Sequence, residues 1–166
     1  MNKAVKRSAL NIAFALSSLC LGARGLNAGE PNGKAVANRI YAQTLVNALI
    51  AGRSDLMIVG LHGTASGAKD EAMIACNLDH IGNSDTAFDI AAGREHMTIL
   101  EPKTPEKFEI CMPLKDASGG YIGAIVMIFK RTAGDTEPSL YLKALELRDG
   151  LATRIPNFAA LFDAAK

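Results

Sequence analysis

The chain has 166 residues, of which 49% are hydrophobic and 21% are charged, and its formal net charge is +1. This length suffices for one domain with a buried core, and the composition is that of a folded protein. The balanced charge excludes the strongly basic surface that non-specific nucleic-acid binding requires. We therefore expect one globular domain with no nucleic-acid partner.

The first 28 residues have the pattern of a cleavable secretory signal peptide. Three basic residues stand near the start, namely Lys3, Lys6 and Arg7. They precede an uncharged apolar run over residues 9–21, which is too short to cross a membrane as a helix. Cleavage after Ala28 would leave 14 basic and 17 acidic residues and a net charge of −3. We therefore expect a periplasmic domain over residues 29–166 without a membrane span.

Two other ways of processing this segment are open. Cleavage near Gly22 and Ala23 is one, because both residues are small. Lipidation of Cys20 is the other, but Leu19 is bulkier than the residue that usually precedes a lipidated cysteine. Cleavage after Ala28 is the preferred interpretation.

The rest of the chain shows helix and strand patterns in the order helix, two strands, short helix, three strands, helix. The predicted ranges are residues 35–52, 56–62, 71–77, 84–92, 97–100, 108–112, 121–129 and 138–154. Asn83 or Ser84 would cap the short helix, whose inward residues would be Ala87, Phe88 and Ala91. Asn157 would cap a last amphipathic turn that forms a helical extension at the C-terminus.

The strands over residues 108–112 and 121–129 form a predicted β-hairpin, since the turn formers of residues 115–120 separate them. The second of these strands is apolar on both faces. One face would carry Ile122, Ala124, Val126 and Ile128, and the other Tyr121, Ile125, Met127 and Phe129. A strand with no polar face is expected in the middle of a sheet that is covered on both sides.

Three segments carry a resemblance to a known family: LMIVGLH, EAMIACN and MPLKDASGGYIGAIVMIF. With the long first helix they resemble the small single-Cache type of extracellular sensory domain, which has a PAS-like fold. The resemblance covers about residues 35–131. It implies an α+β fold with a five-stranded antiparallel sheet in the order 2-1-5-4-3 and with helices at both ends of the chain.

The implied strand order bears on Cys76 and Cys111, the two cysteines that remain after signal-peptide removal. A cysteine pair in an exported protein often forms a disulfide. Here three inter-strand steps of about 4.8 Å would separate the two strands by roughly 14 Å. Because this exceeds the reach of a disulfide, about 7 Å between Cα atoms, we expect two free thiols.

The resemblance also implies a small-molecule site between the sheet and the segment of residues 77–88 that covers it. The candidate ligand-binding residues on the cover are Asn77, His80, Ser84 and Phe88. Those on the sheet side are His62, Met97, Phe108, Ile110 and Tyr121. Polar groups in an otherwise apolar wall suit a small amphipathic molecule.

Catalytic and metal sites are not expected from the sequence. The histidines His62, His80 and His96 lack the spacing of helical metal ligands. Asp79, His80 and Ser84 lie close together, but no nucleophile elbow surrounds the serine. We therefore expect neither an enzyme nor a bound metal or cofactor.

Two hypotheses for function follow. The first is an exported sensory or accessory domain that binds an unidentified small molecule and passes its ligand state to a partner protein in the cell envelope. The alternative is a structural or accessory periplasmic protein with a filled core that acts through its surface. A ligand cavity is what distinguishes the two hypotheses.

Overall fold

The computed structural model describes residues 39–165, so the predicted signal peptide and its alternatives lie outside the described residues. Three helices and five strands follow one another within this range. They are α1 (Tyr41–Ile50), β1 (Leu56–Gly63), β2 (Ala72–Cys76), α2 (Ala87–Arg94), β3 (Ile99–Thr104), β4 (Lys107–Lys115), β5 (Tyr121–Lys130) and α3 (Glu137–Ala152). A short 3-10 helix, Ala159–Phe162, comes last, and the Asn157 side chain caps it by accepting a hydrogen bond from the Ala160 amide.

All five strands belong to one antiparallel sheet in the order β2-β1-β5-β4-β3. This confirms the predicted α+β class and the strand order 2-1-5-4-3. The predicted hairpin joins β4 to β5, with Cys111 opposite Val126 and Ile110 opposite Met127. β5 is central in the sheet and has buried residues on both faces, as its apolar sequence predicts.

The two faces of the sheet have different covers. Helices α1 and α3 lie on one face and enclose the larger core. Strands β4 and β5 contribute to this core Phe108, Ile110, Met112, Leu114, Ile125, Met127 and Phe129. Helix α2 lies on the opposite face against β4 and β5, where Ala92, Cys111, Ala124 and Val126 form a second, small cluster. We call this second side the α2 face.

Several predicted boundaries differ from the structure. Helix α1 begins at Tyr41 and not at residue 35, because Ile40 is extended and pairs with Ala164. Residues 35–38 lie outside the described part of the chain. Strand β3 runs over Ile99–Thr104, later than the predicted residues 97–100.

The start of α2 also differs, so a different set of its side chains faces the sheet. Its cap is Thr86, whose side chain and Asp89 form a capping box, whereas Ser84 pairs with Ala72 in an isolated bridge. The buried residues of α2 are Asp89 and Ala92. The predicted inward set of Ala87, Phe88 and Ala91 is therefore wrong.

The thiols of Cys76 and Cys111 are both buried and free. Their strands, β2 and β4, are separated by β1 and β5, as expected from the strand order. Over residues 39–165, none of the helices has both the length and the apolar character needed to span a membrane.

Candidate functional site

A cavity of about 420 Å³ lies between the α2 face of the sheet and the first turn of α2. Its walls are mainly apolar and include Ile58, Met73, Phe88, Val126 and Ile128. Its polar lining consists of His62, His80, Thr86, Asp89, Lys103 and Glu109. The volume lies within the range of small-molecule pockets, about 300 to 1,000 Å³.

His62, near the end of β1, is one of two buried polar residues in the cavity lining, and Asp89 is the other. The strand pairing of β1 with β2 shifts by one residue between Leu61 and His62. His62 is only 3% exposed, and its Nδ1 lies 2.7 Å from Oδ1 of Asp85. Because an ionised carboxylate can only accept, Nδ1 is the donor in this bond. Asp85 thereby fixes the tilt of the imidazole ring and the nitrogen that carries the proton.

The other ring nitrogen, Nε2, is buried and has no hydrogen-bond partner among the residues that the structure describes. It faces Asp89, whose Oδ1 is 3.7 Å away. That distance is too long for a hydrogen bond, which needs about 2.7 to 3.2 Å. Buried polar atoms are nearly always paired, so the unpaired state of this nitrogen among the described residues is unusual.

Asp89 is held in place by the start of α2. Its Oδ2 accepts hydrogen bonds from the amide and the hydroxyl of Thr86, at 2.7 and 2.6 Å. Its Oδ1 accepts a weaker one from the Cys111 thiol at 3.6 Å. Asp89 is 5% exposed, so the helix cap aims a buried carboxyl group at the His62 ring.

Burial shapes the ionisation of the groups around this site. It raises the pKa of Asp85 above its usual value, against the opposing effect of His62. It also raises the pKa of Glu109, against the opposing effect of Lys103. For Cys111, burial and the negative charge of Asp89 raise the pKa well above the usual range of a thiol, so this cysteine is protonated and unreactive.

Gly123 on β5 brings the backbone close to the site. Its φ angle is +143°, and a Cβ atom placed on it would lie 2.2 Å from the carbonyl oxygen of His62. Only glycine permits this approach. Strands β1 and β5 are thereby held together where the His62 side chain leaves the sheet.

The structure brings three of the nine predicted site residues to this cavity: His62, His80 and Phe88. Asn77 does not line it, since its side chain bonds to the backbone of Val59 and Met57 along β1. Ser84 is exposed beside the edge strand β2. Neither Asn77 nor Ser84 therefore lines the cavity.

Four further predicted residues also lie elsewhere. Phe108 and Ile110 are fully buried on the opposite face, in the core under α1 and α3, so their predicted placement in the site is wrong. The residues of β4 that face α2 are instead Glu109 and Cys111. Met97 and Tyr121 are about half exposed, and the Tyr121 ring stacks on His96 with a centroid distance of 3.9 Å.

Sequence reasoning missed most of the polar residues of the site, above all Asp85 and Asp89. The signal that could have found them is the sequence from Thr86 to Asp89, a threonine followed three residues later by an acid, which is typical of a helix start. It predicts that the Asp89 carboxylate lies at the first turn of α2. The pairing with His62, 23 residues from Asp85, has no local signal.

Comparison with known proteins bears on the fold. No protein-family model and no curated protein sequence matches the chain. Among solved structures, a protein from Burkholderia vietnamiensis named as a GAF sensor superposes with a TM-score of 0.50 and 14% identity, covering 80% of this chain and 81% of that one. The chain has a GAF-like fold.

Two other solved structures are also similar to this GAF-like domain. One is the inducer-binding domain of the transcription factor PobR from Acinetobacter, a double mutant in complex with 3-hydroxybenzoic acid. Its TM-score is 0.44 and its identity 17%, over 70% of this chain and 95% of that one. The other is the repressor BlcR of Agrobacterium tumefaciens, with a TM-score of 0.43 and 12% identity, over 75% of this chain and 71% of that one.

Proposed function

We propose that this GAF-like domain is a sensory domain that binds a small amphipathic molecule in the cavity beneath α2. The observation that carries the proposal is the cavity of about 420 Å³ with apolar walls and the unpaired Nε2 of His62 in its lining. An apolar body would pack against Val126 and Ile128, and one polar group would pair with His62 or Asp89. Binding, not catalysis, is the activity that we propose for this cavity.

The position of α2 supports a role in signalling. The first turn of this helix lines the cavity at Thr86, Phe88 and Asp89, and the same helix packs on the central strand β5. A ligand that contacts the cap of α2 would favour one position of that helix over others, which is how binding shifts a conformational equilibrium. A partner protein could then recognise the surface of α2, where Phe88 and Ile90 are 38% and 37% exposed.

Export is a second part of the proposal. The three basic residues near the start and the uncharged run over residues 9–21 support secretion to the periplasm. We expect a mature protein that starts near Gly29. Intact-mass measurement on a periplasmic extract tests this, and an uncleaved Met1 or a lipidated Cys20 would contradict it.

A ligand screen with a cavity-blocking variant tests the binding site. Native mass spectrometry and thermal shift against small carboxylates, amines and purines should identify at least one compound that stabilises the protein. Ala87→Trp places a large ring at the cavity wall and should weaken binding of that compound at least about tenfold, the equivalent of about 1.4 kcal/mol.

The matched control is Ala133→Trp, which adds the same ring in the exposed turn after β5, away from the cavity. It should bind the compound as the wild type does. Equal binding to both variants would show that the compound binds outside the cavity. A screen without any binder would favour the alternative, an accessory protein that acts through its surface.

A further inference from the structure

We propose that His62 and Asp89 bind a divalent first-row transition-metal ion in the cavity, with Asp85 orienting the imidazole. The inference rests on the proposed function, because the ion would supply the polar anchor for the small molecule in the same cavity. The observation behind it is the close group of His62, Asp85 and Asp89, each of which offers one ligand atom within 4.8 Å of the other two.

The arrangement of the imidazole is that of a metal-binding histidine. Such histidines usually donate one ring N–H to a carboxylate and coordinate the ion through the other nitrogen. Here Nδ1 donates to Asp85 at 2.7 Å, which leaves the lone pair of Nε2 directed at the cavity side of Asp89. The side chains of His62 and Asp89 are each at least nine-tenths buried, so water competes little with an ion for Nε2 and the Asp89 carboxylate.

The distance between the two ligand atoms fits an ion between them. Zinc bonds to imidazole nitrogen and carboxylate oxygen at about 2.0 to 2.1 Å, so two ligands of a tetrahedral site lie about 3.4 Å apart. Nε2 of His62 and Oδ1 of Asp89 are 3.7 Å apart. A movement of a few tenths of an ångström would give both bonds, whereas a direct hydrogen bond would need a movement of at least about half an ångström.

Electrostatics favours a cation at this position. With the proton on Nδ1, a lone pair of Nε2 and a carboxylate oxygen of Asp89 face each other in a buried space. Asp85 adds a second carboxylate, and burying such charges without compensation is costly. A bound divalent ion would offset both charges. The ligand set of one imidazole and carboxylate oxygen is compatible with Zn²⁺, Fe²⁺, Co²⁺ or Mn²⁺.

Zinc titration of the full chain tests the inference. Protein freed of metal with EDTA is titrated with Zn²⁺ against a chromophoric chelator, with no organic ligand present. We expect one ion per chain. His62→Asn and Asp89→Asn should each weaken binding at least about tenfold, and Asp85→Asn about tenfold through the orientation of the ring.

Asparagine at position 62 removes the proposed metal ligand without removing the hydrogen bond to Asp85. The amide nitrogen of asparagine lies close to where Nδ1 of histidine is, so the hydrogen bond to Asp85 can persist while Nε2 is removed. His96→Asn is the matched control, because it makes the same substitution at an exposed imidazole that stacks on Tyr121 outside the cavity. His96→Asn should bind zinc as the wild type does.

Nitrogen NMR of the wild type supplies a readout that does not depend on any variant. Adding Zn²⁺ should shift the ¹⁵N resonance of His62 Nε2 and leave Nδ1 protonated. The inference is overturned if no ion binds, if His62→Asn binds zinc normally, if His96→Asn loses zinc binding, or if both nitrogens of His62 are protonated and unaffected by zinc. Ligand binding that is blocked in Ala87→Trp but needs no metal would refute this inference alone and leave the proposed function standing.

Discussion

Replacing Gly123 with alanine tests whether the close approach of β5 to His62 holds this part of the sheet together. A Cβ at Gly123 would lie 2.2 Å from the His62 carbonyl oxygen. An ordinary carbon–oxygen contact is about 3.3 Å, so the strands would have to separate by about 1 Å. The φ angle of +143° is also strained for any residue with a side chain.

Both effects destabilise the folded state. A strained backbone conformation costs roughly 1 to 3 kcal/mol, and forcing an extra carbon into a packed space costs a similar amount. Because a relaxation of the strands relieves both at once, we expect Gly123→Ala to lower the free energy of unfolding by about 2 to 4 kcal/mol. Urea denaturation followed by circular dichroism measures this, with an unchanged m-value as the sign of two-state unfolding.

Gly134→Ala is the control for this substitution. No atom lies within 4 Å of a Cβ built on Gly134, so its free energy of unfolding should be unchanged or slightly raised. A Gly123→Ala variant within about 0.5 kcal/mol of the wild type, the range of ordinary surface substitutions, would refute the reasoning. It would mean that β1 and β5 lie further apart at His62 than the structure shows.

Three further predictions concern single side chains. Alkylation without reductant should label Cys76 and Cys111 only after denaturation, since both thiols are free and buried, and a cross-linked peptide would contradict the strand order. Burial raises the pKa of Glu109, so its ionisation opposes folding. Glu109→Gln should therefore be more stable than the wild type at pH 7, and urea titrations at lower pH should show this difference vanish below the unfolded pKa of about 4.3. Thr86→Ala removes the side-chain half of the capping box and should lower the free energy of unfolding by about 1 kcal/mol, whereas an unchanged value would show that the cap contributes nothing.

The predicted fold was accurate where burial leaves a strong pattern in the sequence. Strand β5 is apolar on both faces, which placed it correctly in the centre of the sheet. Strand β3 was placed too early for the opposite reason. Its residues Ile99–Thr104 are mostly exposed, and Pro102 suits only an edge strand, so no apolar alternation marks its range.

The face of β4 illustrates a limit of alternation. A period of two tells which residues share a face of a strand, but not which helix covers that face. The family resemblance implied that Phe108 and Ile110 lie on the sheet side of the ligand site, yet both pack in the larger core under α1 and α3. The cavity is lined instead by Glu109, whose carboxylate is partnered by the Lys103 ammonium 3.4 Å away, and a partner of this kind lowers the cost of burying a charged side chain.

The polar cluster of the site depends on a meeting of segments that no local pattern encodes. Thr86 and Asp89 form the capping box at the start of α2. Asp85 directly precedes this cap and Asp89 lies in the first turn, so both carboxylates are at the N-terminal end of the helix. Both reach His62 only because Gly123 lets β5 approach β1 at that residue and because α2 crosses the same end of the sheet. The capping box that satisfies unpaired backbone amides of α2 therefore also directs the Asp89 carboxylate towards His62 on β1. If the cap and the site share Asp89 in this way, Asp89→Asn should lower both the stability of α2 and the affinity for zinc. Thr86→Ala should change mainly the stability of α2.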